Sequence, residues 1–127
     1  INSVVDASGL DFISYDRENI EVKYNEPLRI FRFKLGYTRV LIDLNRKLGK
    51  KSDYECKNPN LEIYNMVGAE DIITKGEKGV ADSLNFLKSI GYKDVSSKSY
   101  EHMKHEILCE TNKEFVYRDI LNFFDDK

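Results

Sequence analysis

The stretch LEIYNMVG, residues 61–68, predicts a β-strand that ends at a glycine. Apolar residues at helical spacing follow over residues 80–90, and a second, more polar strand is predicted between residues 94 and 100. A strand, a helix and a strand in this order form a βαβ unit, whose two strands pair in parallel. With the amphipathic helix predicted over residues 116–124, this order favours the α/β class.

Upstream of the βαβ unit the sequence predicts helices. A short helix is expected over residues 16–24, with Asp16 near its N-cap, and an amphipathic helix over residues 36–47. Two parallel strands make a poor sheet by themselves, because a buried parallel sheet normally contains more strands. We therefore expect the second half of the chain to lie beside strands that this sequence does not obviously contain.

The composition is typical of one globular domain. The chain has 127 residues, of which 41% are hydrophobic and 33% charged, and its formal net charge is −2. Acids and bases are interspersed without a basic stripe, so no nucleic-acid partner is expected. No apolar run approaches the roughly 20 residues of a transmembrane segment. Two cysteines, Cys56 and Cys109, and no visible signal peptide favour a cytoplasmic protein with reduced thiols.

Both histidines lie in the stretch YEHMKHEIL, residues 100–108, directly after the second predicted strand. Asp71 lies just past the end of the first strand. Because neighbouring parallel strands bring their C-terminal loops together, Asp71 and His105 are expected to meet. An Asp that holds a His through its Nδ1 proton forms two-thirds of a Ser-His-Asp triad. The alternative is a surface carboxylate and a surface histidine without a catalytic role.

Other chemistry is less well supported by the spacing. His102 and His105 do not form the His-Glu-x-x-His zinc motif, and no third ligand is placed beside them, so no metal is expected. Cys109 follows His105 too closely to read as a nucleophile, and a half-buried cysteine is commoner. The stretch GEKG, residues 76–79, is not a phosphate-binding loop, and no cofactor is expected.

Residues 61–127 resemble the C-terminal end of α/β-hydrolases of the monoacylglycerol lipase, lysophospholipase and serine aminopeptidase group. GAED, residues 68–71, matches the Gly-x-x-Asp turn that carries the acid of that group, and GEKGV, residues 76–80, is similar to the helix start that follows. YEHMKHE, residues 100–106, is similar to the loop of the catalytic histidine, with His102 where glycine is usual. The resemblance implies that Asp71 and His105 are the catalytic acid and base.

The first half resembles the cap segment of the same group, which ends in an Asp-Pro-Leu-like motif, here NEPL over residues 25–28. The implied fold is the C-terminal portion of an α/β-hydrolase, with a helical cap segment and two parallel strands with flanking helices. We expect the cap or lid over residues 1–55 and the core over residues 56–127. An apolar patch over residues 28–35 is equally consistent with an acyl-chain pocket and with ordinary packing. A pocket would favour lipid-like esters, of glycerol or lysophospholipid, as substrates.

The nucleophile of this group is missing from the sequence. No Gly-x-Ser-x-Gly is present, and none of the nine serines has glycine at both −2 and +2. Since the chain also begins at Ile1, we expect it to be the C-terminal part of a longer hydrolase. The N-terminal half, or a second chain, would supply the serine, and this chain alone would be inactive. The alternative is a non-catalytic remnant or interaction module that keeps the fold and packs against a partner.

Overall fold

The computed structural model describes residues 9–29 and 35–125. These residues form helices α1 (Arg17–Tyr24), α2 (Leu35–Leu48), α3 (Gly76–Ser89) and α4 (Glu114–Asp125), and strands β1 (Ile63–Gly68) and β2 (Val95–Tyr100). Short 3-10 turns lie at Lys51–Asp53 and Ile107–Cys109. Four helices and two strands in this order belong to the predicted α/β class.

Strands β1 and β2 form a parallel pair, which confirms the predicted βαβ unit. The register runs from Ile63 opposite Val95 to Gly68 opposite Tyr100, and α3 provides the connection between the strands. Within the described residues the sheet has these two strands. Because the pairing is parallel and in step, both strands end at the same edge, where the turn after β1 meets the loop after β2.

The core lies beneath that edge. Its buried residues are Tyr100, Met103 and Val116, and the partly buried Met66, Ile107 and Ile120 pack against them. Since Tyr100 ends β2 and Met103 lies in the loop that follows, the same apolar cluster anchors the sheet and the histidine loop. Val116 joins α4 to this cluster, as its place on the apolar face of the last helix predicted.

A polar cluster at the rim of the core joins β2 to α4. The Tyr100 hydroxyl donates to Asp119 Oδ2 at 2.5 Å, and Lys98 Nζ lies 2.6 Å from the same oxygen. Burial, with a further contribution from Asp119, raises the pKa of Tyr100 well above its usual range. The phenol therefore remains a hydrogen-bond donor. The hydrogen bonds from Lys98, which has the larger effect, and from Tyr100 lower the pKa of Asp119.

Helix α1 begins where the sequence predicts. Asp16 is its N-cap, and its Oδ1 accepts hydrogen bonds from the amides of Glu18 at 3.0 Å and Asn19 at 3.2 Å. Ile20 is the buried residue of this helix. Asn19 and Lys23 extend toward the histidine loop, where both bind Glu106, at 3.2 and 3.0 Å.

Helix α2 has its predicted amphipathic pattern, but its apolar face is open to solvent. That face carries Tyr37, Val40, Leu41, Leu44 and Leu48, all of them exposed. The apolar patch predicted over residues 28–35 falls largely on residues 30–34, which lie outside the described residues, and its two ends, Leu28 and Leu35, are exposed. In the described part of the chain, no helix is both long enough and apolar enough to cross a membrane.

Candidate active site

The turn after β1 is tied to the loop after β2 by main-chain hydrogen bonds. The amide of Ala69 donates to the carbonyl of Tyr100 at 2.9 Å, and the amide of Glu70 donates to the carbonyl of Met103 at 3.0 Å. The turn itself closes through the amide of Asp71, which donates to the carbonyl of Gly68 at 3.2 Å. These bonds fix the position of Asp71 relative to the loop that carries both histidines.

Gly68 permits this close approach. A Cβ atom at this position would lie 2.1 Å from the carbonyl oxygen of Lys104 and 2.4 Å from that of Met103. Both contacts are with main-chain atoms of the histidine loop, so neither could be relieved by rotating a side chain. The glycine that ends the predicted strand is therefore required because the loop crosses directly over it.

Asp71 is buried, with 5% of its surface exposed, and both of its carboxylate oxygens are bound. Oδ1 accepts the amide of Ile73 at 2.8 Å, and Oδ2 lies 3.0 Å from Nδ1 of His105. The hydroxyl of Thr74 donates to the carbonyl of Asp71 at 2.9 Å and completes the turn. An ionised carboxylate can only accept, so this contact assigns the proton to Nδ1 and leaves Nε2 as the basic nitrogen of the neutral ring.

His105 combines a fixed position with an accessible ring. Its side chain is 44% exposed, and its ring lies 6.3 Å from that of Phe12, at an interplanar angle of 45°. The amide of His105 donates to the carbonyl of Phe12 at 3.4 Å, and the amide of Glu106 donates to that of Ile13 at 2.8 Å. The imidazole is thus held by a buried acid on one side while a substrate or a second protein group can reach it from outside. This is the arrangement that a general base needs.

The second histidine belongs to a more exposed pair. His102 Nδ1 lies 3.5 Å from Glu70 Oε1, and the two side chains are 86% and 42% exposed. The hydroxyl of Tyr15 donates to Glu70 Oε2, and this hydrogen bond raises the pKa of Tyr15. His102 has a φ of 55°, in the left-handed region that favours glycine. A glycine would adopt this backbone conformation more readily than a histidine does.

Two polar residues that sequence reasoning missed are buried beside the histidine loop. Ser14 and Glu110 are each 1% exposed, and the Ser14 hydroxyl donates to Glu110 Oε2 at 2.9 Å. The two residues lie 96 positions apart, so no local spacing could have joined them. A glutamate just before a helix reads as a surface residue, and no signal in the sequence marks Glu110 as buried.

A cavity lies beside the turn after β1 and is lined by residues of α3 and of both strands. It has a volume of about 280 Å³, and its walls include Val67, Gly68, Val80 and Leu84. Asp71 and His105 do not belong to its lining. The cavity is therefore not lined by the acid–base pair.

The sequence also raised a metal site and a thiol nucleophile as alternatives. Within residues 9–29 and 35–125, no group of three or more His, Cys, Asp or Glu side chains could hold a metal ion. Cys109 is a free, half-buried cysteine. No protein-family model matches this chain, and no curated protein matches it either.

Proposed function

We propose that this chain supplies the acid and the base of a serine hydrolase, Asp71 and His105, and that the nucleophilic serine comes from outside these 127 residues. The observation that carries the proposal is the contact of 3.0 Å between Asp71 Oδ2 and His105 Nδ1. A buried acid and an accessible imidazole meet where two adjacent parallel strands end. That combination is what a triad requires of its last two members.

In the proposed mechanism, Asp71 orients His105 and stabilises the imidazolium that forms. His105 Nε2 takes the proton of the serine hydroxyl as its oxygen attacks the ester carbonyl, and then gives that proton to the departing alcohol. The acyl-enzyme is hydrolysed by the same route. His105 takes a proton from water, the hydroxide oxygen attacks the acyl carbon, and the proton returns to the serine oxygen as the acid leaves.

The proposed substrates are carboxylic esters with a lipid-like acyl group, such as monoacylglycerols or lysophospholipids. This part of the proposal rests on the motif resemblance, and the exposed apolar face of α2 is compatible with a surface that meets apolar groups. The proposed setting is the cytoplasm, where the free thiols of Cys56 and Cys109 would stay reduced.

The second candidate is a non-catalytic module that packs against a partner. Under both candidates, the sheet of two strands and the exposed apolar face of α2 favour packing against another protein segment. The candidates differ in what they ask of His105. A catalytic role requires its imidazole to take a proton, whereas an interaction module needs only the fold around it.

A fluorophosphonate probe distinguishes them, because it labels a serine only when a base activates it. The test compares the natural gene product that contains this chain with its His105→Ala and His102→Ala variants, each checked for folding by thermal melting. We expect His105→Ala to slow labelling by about three orders of magnitude and His102→Ala to leave it within about twofold. Absence of labelling in the wild-type protein, or equal labelling of the two variants, would refute the proposal.

A further inference from the structure

Glu110 is a buried carboxylate that the proposed chemistry does not use. Its Oε2 accepts the Ser14 hydroxyl at 2.9 Å and the Tyr15 amide at 2.8 Å, and its Oε1 accepts the Lys104 amide at 2.8 Å. A charged group is rarely buried unless such donors replace its water. One oxygen therefore holds the segment before α1, and the other holds the main chain immediately before His105.

We propose that Glu110 is a positioning residue for His105. It joins the segment of Ser14 and Tyr15 to the histidine loop and thereby sets the imidazole against Asp71. The consequence of these contacts for catalysis rests on the proposed function.

The contacts that reach the imidazole run along the segment that Glu110 holds. Phe12 and Ile13 precede Ser14, and their carbonyls accept the amides of His105 and Glu106. The Phe12 ring also flanks the imidazole, with 6.3 Å between the ring centroids. The main chain is thus held at two successive amides. Glu110 itself accepts the amide of Lys104, which precedes His105, and the carbonyl of Phe12, in the segment that Glu110 anchors, accepts the amide of His105.

A purely structural role for Glu110 would predict something different. Loss of general stability should affect His102 and His105 alike, since both belong to the same loop. A positioning role predicts that only the His105 imidazole changes its tautomer, because the contacts that Phe12 makes in this loop are with His105. Asp119 supplies a matched control, since it is another carboxylate with two partners, the buried Tyr100 and the partly exposed Lys98, and neither partner belongs to the segment before α1.

The test is imidazole NMR on the intact protein, which reports which ring nitrogen of each histidine carries the proton. In the wild type we expect the neutral His105 ring to carry its proton on Nδ1, where it is donated to Asp71. We expect His102 to show a mixture of tautomers. Glu110→Gln places an amide NH₂ against the main-chain amide of Lys104 or against that of Tyr15, and neither amide can accept a hydrogen bond. The Nδ1–H fraction of His105 should then fall by at least about twofold toward the His102 mixture, with His102 unchanged.

Two further variants test whether the change at His105 is specific to the contacts of Glu110. Asp119→Asn should leave the His105 tautomer as in the wild type. Ser14→Ala removes one donor and keeps the Glu110 carboxylate, so it should lower the Nδ1–H fraction of His105 by a smaller amount. This variant provides the test if Glu110→Gln fails to fold. Folded variants with a wild-type His105 spectrum would overturn the inference and leave the proposed function intact. A wild-type His105 without the Nδ1 proton would instead count against the proposed function itself.

Discussion

The molecule contains two carboxylate–histidine pairs built from the same turn and the same loop. Asp71 and His105 lie 3.0 Å apart with the acid buried, whereas Glu70 and His102 lie 3.5 Å apart with both side chains exposed. The acids are neighbours in the sequence, so the difference arises from the direction in which each side chain leaves the turn. The second pair is therefore an internal control for the first.

The two pairs differ because their acids have different surroundings. The Asp71 side chain is fixed by the amide of Ile73, so its other oxygen is aimed at the imidazole. Glu70 uses its amide to bind the histidine loop, and its side chain extends outward to Tyr15 and His102. A histidine beside a carboxylate is a common surface arrangement. Burial of the acid and its fixed orientation are what distinguish a candidate for catalysis.

The largest effect should come from removing the acid of each pair in turn. Asp71→Asn keeps the shape of the side chain but presents an amide, which can donate to Nδ1 and so favours the tautomer in which Nε2 is no longer basic. We expect the rate of fluorophosphonate labelling of the natural gene product to fall about 10³–10⁴-fold. Glu70→Gln should change that rate by less than about twofold, and similar losses in both variants would remove the distinction between the pairs.

Gly68→Ala should disturb both pairs together. The added methyl group would meet the main chain of Lys104 and Met103, and the histidine loop would have to move away from the turn. We expect the free energy of unfolding in urea to fall by about 3 kcal/mol. Gly36→Ala is the control, because a Cβ at Gly36 meets no atom within 4 Å, and alanine favours the helix by roughly 0.5–1 kcal/mol. A Gly68→Ala protein as stable as the wild type would show that the crossing is not required.

Asp119→Asn tests the polar cluster at the rim of the core, and its effect on stability should depend on pH. Lys98 and Tyr100 lower the pKa of Asp119, so its carboxylate stabilises the fold above the pKa of the unfolded chain. That stabilisation is lost as the pH falls through the lower pKa of the folded state. We expect the variant to be less stable by about 1 kcal/mol at neutral pH, a modest value because Lys98 is partly exposed.

The difference should therefore shrink as the pH falls below the usual pKa of an aspartate and through the lower pKa of folded Asp119, in urea titrations of both proteins at a series of pH values. A difference that did not shrink as the pH fell would mean that the Asp119 charge does not contribute.

The smallest effect is expected from Glu106→Gln, next to His105. Glu106 binds Lys23 at 3.0 Å, but both side chains are partly exposed, so the ion pair is screened by water. The free energy of unfolding should fall by less than about 1 kcal/mol, and fluorophosphonate labelling should remain near the wild-type rate. A loss as large as that of Asp71→Asn would show that any acid near His105 matters, whether or not it is buried.

The regular elements and the central contact were predictable from the sequence, for physical reasons. Apolar periodicity marked the helices and strands, and β1 differs from its predicted bounds by two residues or fewer. Since parallel strands end at one edge, the meeting of Asp71 with His105 followed from the order of the elements. Their catalytic role remains a prediction.

The rest depends on long-range packing, which local patterns do not encode. Glu110 is buried only because the segment of Ser14 returns to the histidine loop from the far end of the chain. The pattern of α2 predicted an apolar face but could not say that it would lie open. Gly68 read as the end of a strand, while its importance comes from the carbonyls of Met103 and Lys104 that cross over it.

The most direct test of the central claim is imidazole NMR of the wild-type protein beside its Asp71→Asn and Glu70→Gln variants. The structure predicts that neutral His105 carries its proton on Nδ1, that Asp71→Asn abolishes this preference, and that Glu70→Gln leaves it unchanged. His102 should show a tautomer mixture in all three proteins. Equal tautomer ratios for the two histidines in the wild type, or a His105 spectrum indifferent to Asp71→Asn, would contradict the claim that a buried acid fixes the catalytic base.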